Sequence, residues 1–185
     1  GSYGGFVTLE YALRHPDRLT HVILRDTAAS GAFNEKAKQN ALSRAEEFPE
    51  ITEELLAKLF DGKYESDRDF SDTHLIIAPL YDVDFDPEAA KAANAAMTFR
   101  HDTHNFAFSH NLPKYDLRNR LGEMTTPVLI TVGRHDWITP VAASEEMHRL
   151  LPNSELVIFE NSGHSPQVEE NDKWIATIRD FLARH

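Results

Sequence analysis

The segment Pro127-Val128-Leu129-Ile130-Thr131-Val132-Gly133-Arg134-His135-Asp136 decides the architecture of this chain. Val128 to Val132 run without alternation, introduced by a proline and closed by a glycine. A strand with one wet face alternates apolar and polar residues. A continuous run instead predicts a strand buried on both faces, as in a parallel sheet. Two further stretches read the same way: Leu19 to Arg25, centred on Val22-Ile23-Leu24, and Glu155 to Phe159. Pro140 to Leu151 reads as a helix between two of these strands. Gln167 to Arg184 closes the chain as an amphipathic helix with Trp174, Ile178, Phe181 and Leu182 on one face. At the other end Phe6, Leu9 and Leu13 recur at helical spacing until His15-Pro16 stops the helix. Strands alternating with helices predict an α/β fold with a parallel sheet. The first helix reads as half of a βαβ unit whose leading strand would precede Ser2, so the N-terminal strands of the sheet are expected to be missing from this chain.

Residues 29–115 differ in character. Asn34 to Glu47, Thr52 to Phe60, Asp72 to Leu80 and Pro87 to Met97 read as helices, and no strand pattern interrupts them. Pro87 suits a first helical turn, and the alanines after it are strong helix formers. A connection this long is far above the usual length and is most often functional. The expectation is a helical cap or lid over 29–115, inserted into a core made of 1–28 and 116–185.

Composition narrows the function. Of 185 residues, 41% are hydrophobic, enough for a packed core. Against 30 Asp and Glu stand 19 Lys and Arg, a formal charge of −11, which argues against a nucleic-acid partner. No apolar run approaches the roughly 20 residues that span a bilayer, so no membrane role is expected. The chain has no cysteine, and therefore no disulfide frame, thiol nucleophile or Cys-based zinc site. That composition suits a cytoplasmic location.

In open α/β sheets, ligands bind beyond the carboxyl ends of the strands. Ser2 opens the first helix from a turn flanked by Gly1, Gly4 and Gly5; Asp136 follows the Val128–Val132 strand; His164 follows the Glu155–Phe159 strand. Each alone has a bland reading as a turn or loop residue. Together they stand in the order Ser, Asp, His, each on a loop at one sheet edge. The chemistry needs all three. A serine hydroxyl is a poor nucleophile until an imidazole removes its proton, and the imidazole needs a carboxylate to fix its tautomer. The Tyr3 amide, at the helix N-terminus, would donate to an oxyanion.

Gly1-Ser2-Tyr3-Gly4-Gly5-Phe6, Gly133-Arg134-His135-Asp136-Trp137-Ile138-Thr139-Pro140 and Asn161-Ser162-Gly163-His164-Ser165-Pro166 resemble the capped α/β-hydrolases, in particular the proline iminopeptidase-like serine hydrolases. The resemblance runs from the nucleophile elbow to the C-terminus. It implies an α/β-hydrolase fold with its cap at the family's usual place. It also implies that about the first third of the domain lies outside this chain, with the His-Gly-Gly type loop that supplies the second oxyanion donor. Residues 1–185 alone are therefore expected to be inactive, and either a preceding segment or a second copy would have to complete the sheet. Epoxide hydrolases and haloalkane dehalogenases share the fold but use an Asp nucleophile, which Ser2 argues against.

The leading expectation is a serine hydrolase acting on an ester, lactone or amide of a small molecule or short peptide, without metal or cofactor. The competing class is a non-catalytic receptor on the same fold. In proline iminopeptidases the resemblance implies two glutamates that bind a free amino terminus. Trp137 and Asn105 stand at those positions here, with Phe106 beside them as a further substrate contact. A buried ammonium needs a carboxylate, so esterase or lactonase action ranks slightly above aminopeptidase action, with Asp102, Glu46 and Glu47 as substitute carboxylates. His101, Asp102, His104 and His110 lack metal-ligand spacing and read as a solvated or substrate-lining cap segment. Phe99 and Phe108 read as pocket lining or core.

Overall fold

The central strand is β2 (Val128–Gly133), buried at all 6 of its residues. In the computed structural model, which describes residues 1–185, it lies between β1 (Val22–Arg25) and β3 (Ser154–Phe159) in a fully parallel sheet of order β1-β2-β3. Val22 pairs with Val128 and Gly133 with Phe159. This register ends the three strands close to one level, so the loops that follow them emerge at one edge.

One face of the sheet is covered by α1 (Tyr3–Arg14) and α7 (Val141–Leu150). Leu9 and Ala12 from α1 and Met147 from α7 pack on Val22, Leu24, Val128 and Ile130. Each of the buried Leu, Val, Ile and Met side chains contributes about 1.5–3 kcal/mol by leaving water. The other face is covered by α8 (Pro166–Glu169) and α9 (Asn171–Arg184). Phe181 of α9 is buried there, and Trp174 donates its Nε1–H to Thr131 Oγ1 at 3.3 Å. Thr131 is thus a buried polar residue with partners, since its hydroxyl also bonds the Leu24 carbonyl at 3.3 Å.

A second apolar cluster lies mostly within 29–115 and takes in Trp137. It joins Ala37 and Ala41 of α2 (Asn34–Leu42), Leu56, Leu59 and Phe60 of α3 (Glu53–Asp61), Ile77 of α4 (Asp67–Ile77), and Leu80. The remaining helices there are α5 (Pro87–Ala96) and α6 (His101–Phe106), which runs into a π-helical turn over Ala107–Asn111. Thr52, Ser66 and Asp86 cap the starts of α3, α4 and α5 through their side-chain oxygens. The stretch leaves and returns at one place. Ser30 bridges Asp116, Leu117 N donates to Ala29 O at 2.8 Å, and the Tyr115 hydroxyl donates to Ala28 O at 2.9 Å.

Several element boundaries differ from the sequence expectation. The first strand begins at Val22, not Leu19. The helix expected over Asn34–Glu47 ends at Leu42. The helix expected over Asp72–Leu80 starts at Asp67, where Ser66 caps it, and its polar first turn concealed that start. The helix over 101–106 and its π turn were not expected. The closing helix is broken at Glu170, whose φ is −122° and ψ 47°.

Candidate active site

Ser2 sits at φ 49° and ψ −132°, in the left-handed region that L-residues avoid at a cost of about 1–2 kcal/mol. Its neighbourhood holds it there. The Ser2 amide donates to the carbonyls of Arg25 at 3.0 Å and Asp26 at 2.9 Å, and Thr27 Oγ1 donates to Ser2 O at 2.8 Å. A Cβ on Gly5 would run into the Thr27 side chain, so a glycine is needed where α1 crosses the end of β1. The Ser2 hydroxyl does not cap α1 and stays free. Tyr3, as the first residue of α1, has an amide with no acceptor in its own helix.

Asp136 is 4% exposed, at the end of the Gly133–Asp136 turn. Its Oδ1 accepts from the amides of Ile138 and Thr139, both at 3.0 Å, and its Oδ2 from Thr139 Oγ1 at 2.7 Å. The remaining donor is His164, whose Nδ1–H reaches Oδ2 at 2.9 Å. Burial alone would raise the Asp136 carboxyl, but the imidazolium and these hydrogen bonds hold it below the usual carboxylate range. Burial would likewise lower His164, and Asp136 outweighs it, so the imidazole stands above its ordinary value. With Nδ1 committed, Nε2 is the nitrogen left for chemistry. It makes no hydrogen bond to Ser2 here.

The His164 loop is fastened at its backbone. His164 N donates to Tyr81 O at 2.6 Å, and Arg25 Nη1 donates to His164 O at 2.7 Å. Glu169 accepts from Gly163 N at 2.7 Å, and Glu170 accepts from Asn161 N at 3.1 Å and Ser162 Oγ at 2.7 Å. This explains the broken closing helix: its two glutamates turn back to tie the loop. Asp26, immediately after β1, is wholly buried beside the pair. One ligating atom each of Asp26, Asp136 and His164 lies within 4.8 Å of the others. The guanidinium of Arg25, 3.2 Å from Asp26 Oδ2, already supplies the cation there.

Ser2, Asp136 and His164 thus emerge at one sheet edge. The expected substrate contacts fare differently. Trp137 is only 4% exposed and packs edge-on against Phe60 and Tyr81 in the second cluster, while Tyr81 in turn packs edge-on against His164. Asn105 corrects the expectation: its side chain accepts from Tyr64 N at 3.0 Å and donates to Tyr64 O at 2.7 Å, so it fastens α6 to the segment after α3. Phe106 is a second correction. It is 58% exposed and stacks on His110. Asp102 pairs with Arg100 and Glu47 with Arg44 at the surface, and Glu46 is exposed, so none offers a carboxylate to a buried ammonium. Among the histidines of α6, His101 bonds Asp67 and His104 is half-buried between Phe108, Phe70 and Tyr64. Burial pushes His104 down to about 4. Asp67, His101 and Asp102 approach one another, but each is already paired. A cavity of about 550 Å³ runs along the outer face of α1 between Tyr3, Phe6, Tyr11 and Tyr115, and neither Asp136 nor His164 lines it.

A strand-loop-helix core carrying these side chains at one edge defines the class. The family model of the alpha/beta hydrolase fold matches residues 1–171, and the chain belongs to that family. It is 33% identical over 184 residues to the proline iminopeptidase PfmaB of Pestalotiopsis fici, covering 100% of this chain and 66% of that protein. It is 29% identical over 191 residues to the pimeloyl-[acyl-carrier protein] methyl ester esterase of Neisseria meningitidis, covering 98% and 67%. An alpha/beta fold family hydrolase from Bacillus anthracis superposes with a TM-score of 0.75 at 27% identity, over 97% of this chain and 64% of that one. The chain therefore spans about two-thirds of the length of these relatives.

Proposed function

We propose that the protein is a serine hydrolase of ester, lactone or amide bonds in small molecules or short peptides, working in the cytoplasm through an acyl-enzyme. Ser2 is the nucleophile. His164 Nε2 takes the Ser2 proton as the hydroxyl attacks the carbonyl carbon, then returns it to the leaving group. Asp136 holds the ring in the tautomer that leaves Nε2 unprotonated and stabilises the imidazolium. The Tyr3 amide donates to the developing oxyanion, aided by the positive end of α1. Water then repeats the sequence to release the acid. The observation that carries this reading is the buried 2.9 Å hydrogen bond from His164 to Asp136, at the edge where Ser2 is held in a strained turn with its hydroxyl free. A pure receptor needs no such pair. Labelling the full-length protein with a fluorophosphonate tests it: Ser2 is expected to be modified, and Ser2→Ala to abolish both labelling and turnover. Unlabelled Ser2 in folded protein ends the proposal.

Prolyl aminopeptidase action is the second reading, favoured by the relative from Pestalotiopsis fici. It needs a carboxylate for the substrate's ammonium. Asp82 is the candidate: its Cα lies 3.3 Å from where a Cβ on Gly163 would stand, beside His164, and its Oδ1 is buried without a partner. A clear preference for proline p-nitroanilide over p-nitrophenyl butyrate, lost in Asp82→Asn, selects this reading. Preference for the butyrate ester selects the first.

A further inference from the structure

We propose that Asp26 is a positioning residue for the reaction, fastening the loops of Ser2, Asp136 and His164 to one another and serving as a second counter-ion to the His164 imidazolium. The proposal rests on the hydrolase reading above and goes beyond it, since Asp26 touches no reacting atom.

Three connections carry the first half. The Asp26 carbonyl accepts from the Ser2 amide at 2.9 Å, on the nucleophile turn. Its Oδ1 accepts from the Gly133 amide at 2.9 Å, where β2 passes into the Asp136 turn. Its Oδ2 faces Arg25 Nη1 at 3.2 Å, and that same nitrogen donates to the His164 carbonyl at 2.7 Å. Asp26 is held at φ 46°, so its backbone is strained as that of Ser2 is. Two adjoining left-handed non-glycine residues are the only ones in the chain. Strain of this kind persists where the surroundings over-determine the geometry, which is common at sites of function.

Charge carries the second half. The groups facing Asp26 are Arg25 from β1, Asp136 beyond β2, His164 beyond β3 and the Gly1 amino group beside Arg25; Tyr81 of the cap faces His164. With Asp26 and Asp136 ionised and the ring neutral, the side chains of this buried site carry one net negative charge, two carboxylates against the Arg25 guanidinium. When His164 takes the Ser2 proton, that charge is cancelled. A buried net charge is costly, so its cancellation favours the state that the reaction passes through. Burial, opposed by His164, pushes the Asp26 carboxyl up to about 7, while Asp136 and Asp26 together hold the imidazole above its ordinary value; ionisable groups this close titrate as interacting sites.

The test is Asp26→Asn in the full-length protein. The amide oxygen can still accept from Gly133, while the charge is gone. The imidazole loses a counter-ion, so it protonates at lower pH. The acidic limb of kcat/KM is expected to move down by about one pH unit. In parallel, kcat is expected to fall about three- to tenfold with KM little changed. NMR titration of the His164 ring, read without any substrate, should show the same downward shift. A folded variant whose ring titrates as in the wild type overturns the counter-ion role, even where kcat falls. Should the variant not fold, the wild-type ring titration decides: two inflections support the proposal and a single one-proton curve overturns it. Fluorophosphonate labelling keeps the two readings apart, because an unmoved ring with Ser2 labelled sinks only the role of Asp26.

Discussion

At the scale of single residues, the site is a set of buried charges that hold one another. Asp136 accepts from four donors and stays ionised; His164 gains a partner and stays basic. Asp26 gains least, and its folded carboxyl lies near 7 against an ordinary value of 3.8. The sign of its effect on stability follows. Between these values the folded chain binds a proton that the unfolded chain has released, so this group's contribution falls as pH rises from about 4 through 7. Asp26→Asn is therefore expected to melt several degrees higher than the wild type at pH 8, with the gap closing toward pH 4. Equal melting curves at pH 8 contradict this. Higher stability with slower turnover is the trade expected of a residue retained for function. Asp26 was open to sequence reading by the same rule that found Asp136 and His164, since it directly follows a strand. Asn105 and Phe106 were not legible. Which side of α6 meets the site depends on how the cap folds back, and that contact spans distant parts of the chain.

At the scale of elements, the loops after β2 and β3 meet backbone to backbone. His135 N donates to Ser162 O at 3.0 Å and Arg134 N to Phe159 O at 2.8 Å. A Cβ on Gly133 would overlap the carbonyls of Gly163 and Ser162, and one on Gly163 would overlap that of Tyr81. Gly133→Ala must push the Asp136 turn away from the His164 loop. It is expected to destabilise by about 1–3 kcal/mol and to cut kcat by about 100-fold, because a displacement near 1 Å at the reacting groups has that cost. A variant with wild-type kcat refutes the claim that this crossing sets the Asp136–His164 distance. Strands were legible because burial on both faces leaves an uninterrupted apolar run. Boundaries in the cap were less so: the first turn of α4 is polar and exposed, and its start is marked by the Ser66 cap more than by periodicity.

At the scale of the molecule, the apolar side chains form two clusters, one on the sheet and one among α2, α3 and α4, and Trp137 joins the loop of Asp136 to the second. We propose the cap to be residues 29–115 and the core 1–28 with 116–185. β1 is bonded along one edge only, to β2. The reaction needs a second oxyanion donor besides the Tyr3 amide, and the relatives are about half as long again as this chain. Residues 1–185 alone are expected to hydrolyse p-nitrophenyl butyrate about 100- to 1,000-fold more slowly than the full-length protein, the usual effect of losing one oxyanion donor. Equal rates refute that. No helix is long and apolar enough to cross a membrane.

The sequence by itself determined the parallel sheet, the helical stretch between its strands, and the three side chains at the strand ends. Each of these depends on local pattern: unbroken apolar runs, helical spacing, and the rule that loops after parallel strands share an edge. Only the tertiary structure decided that Asp136 and His164 bond at 2.9 Å, that Asp26 is enclosed beside them, and that Phe106 turns outward. Those facts depend on packing between residues far apart in the chain, where burial raises or lowers a charge and a missing Cβ lets two backbones touch. No window of sequence contains both partners.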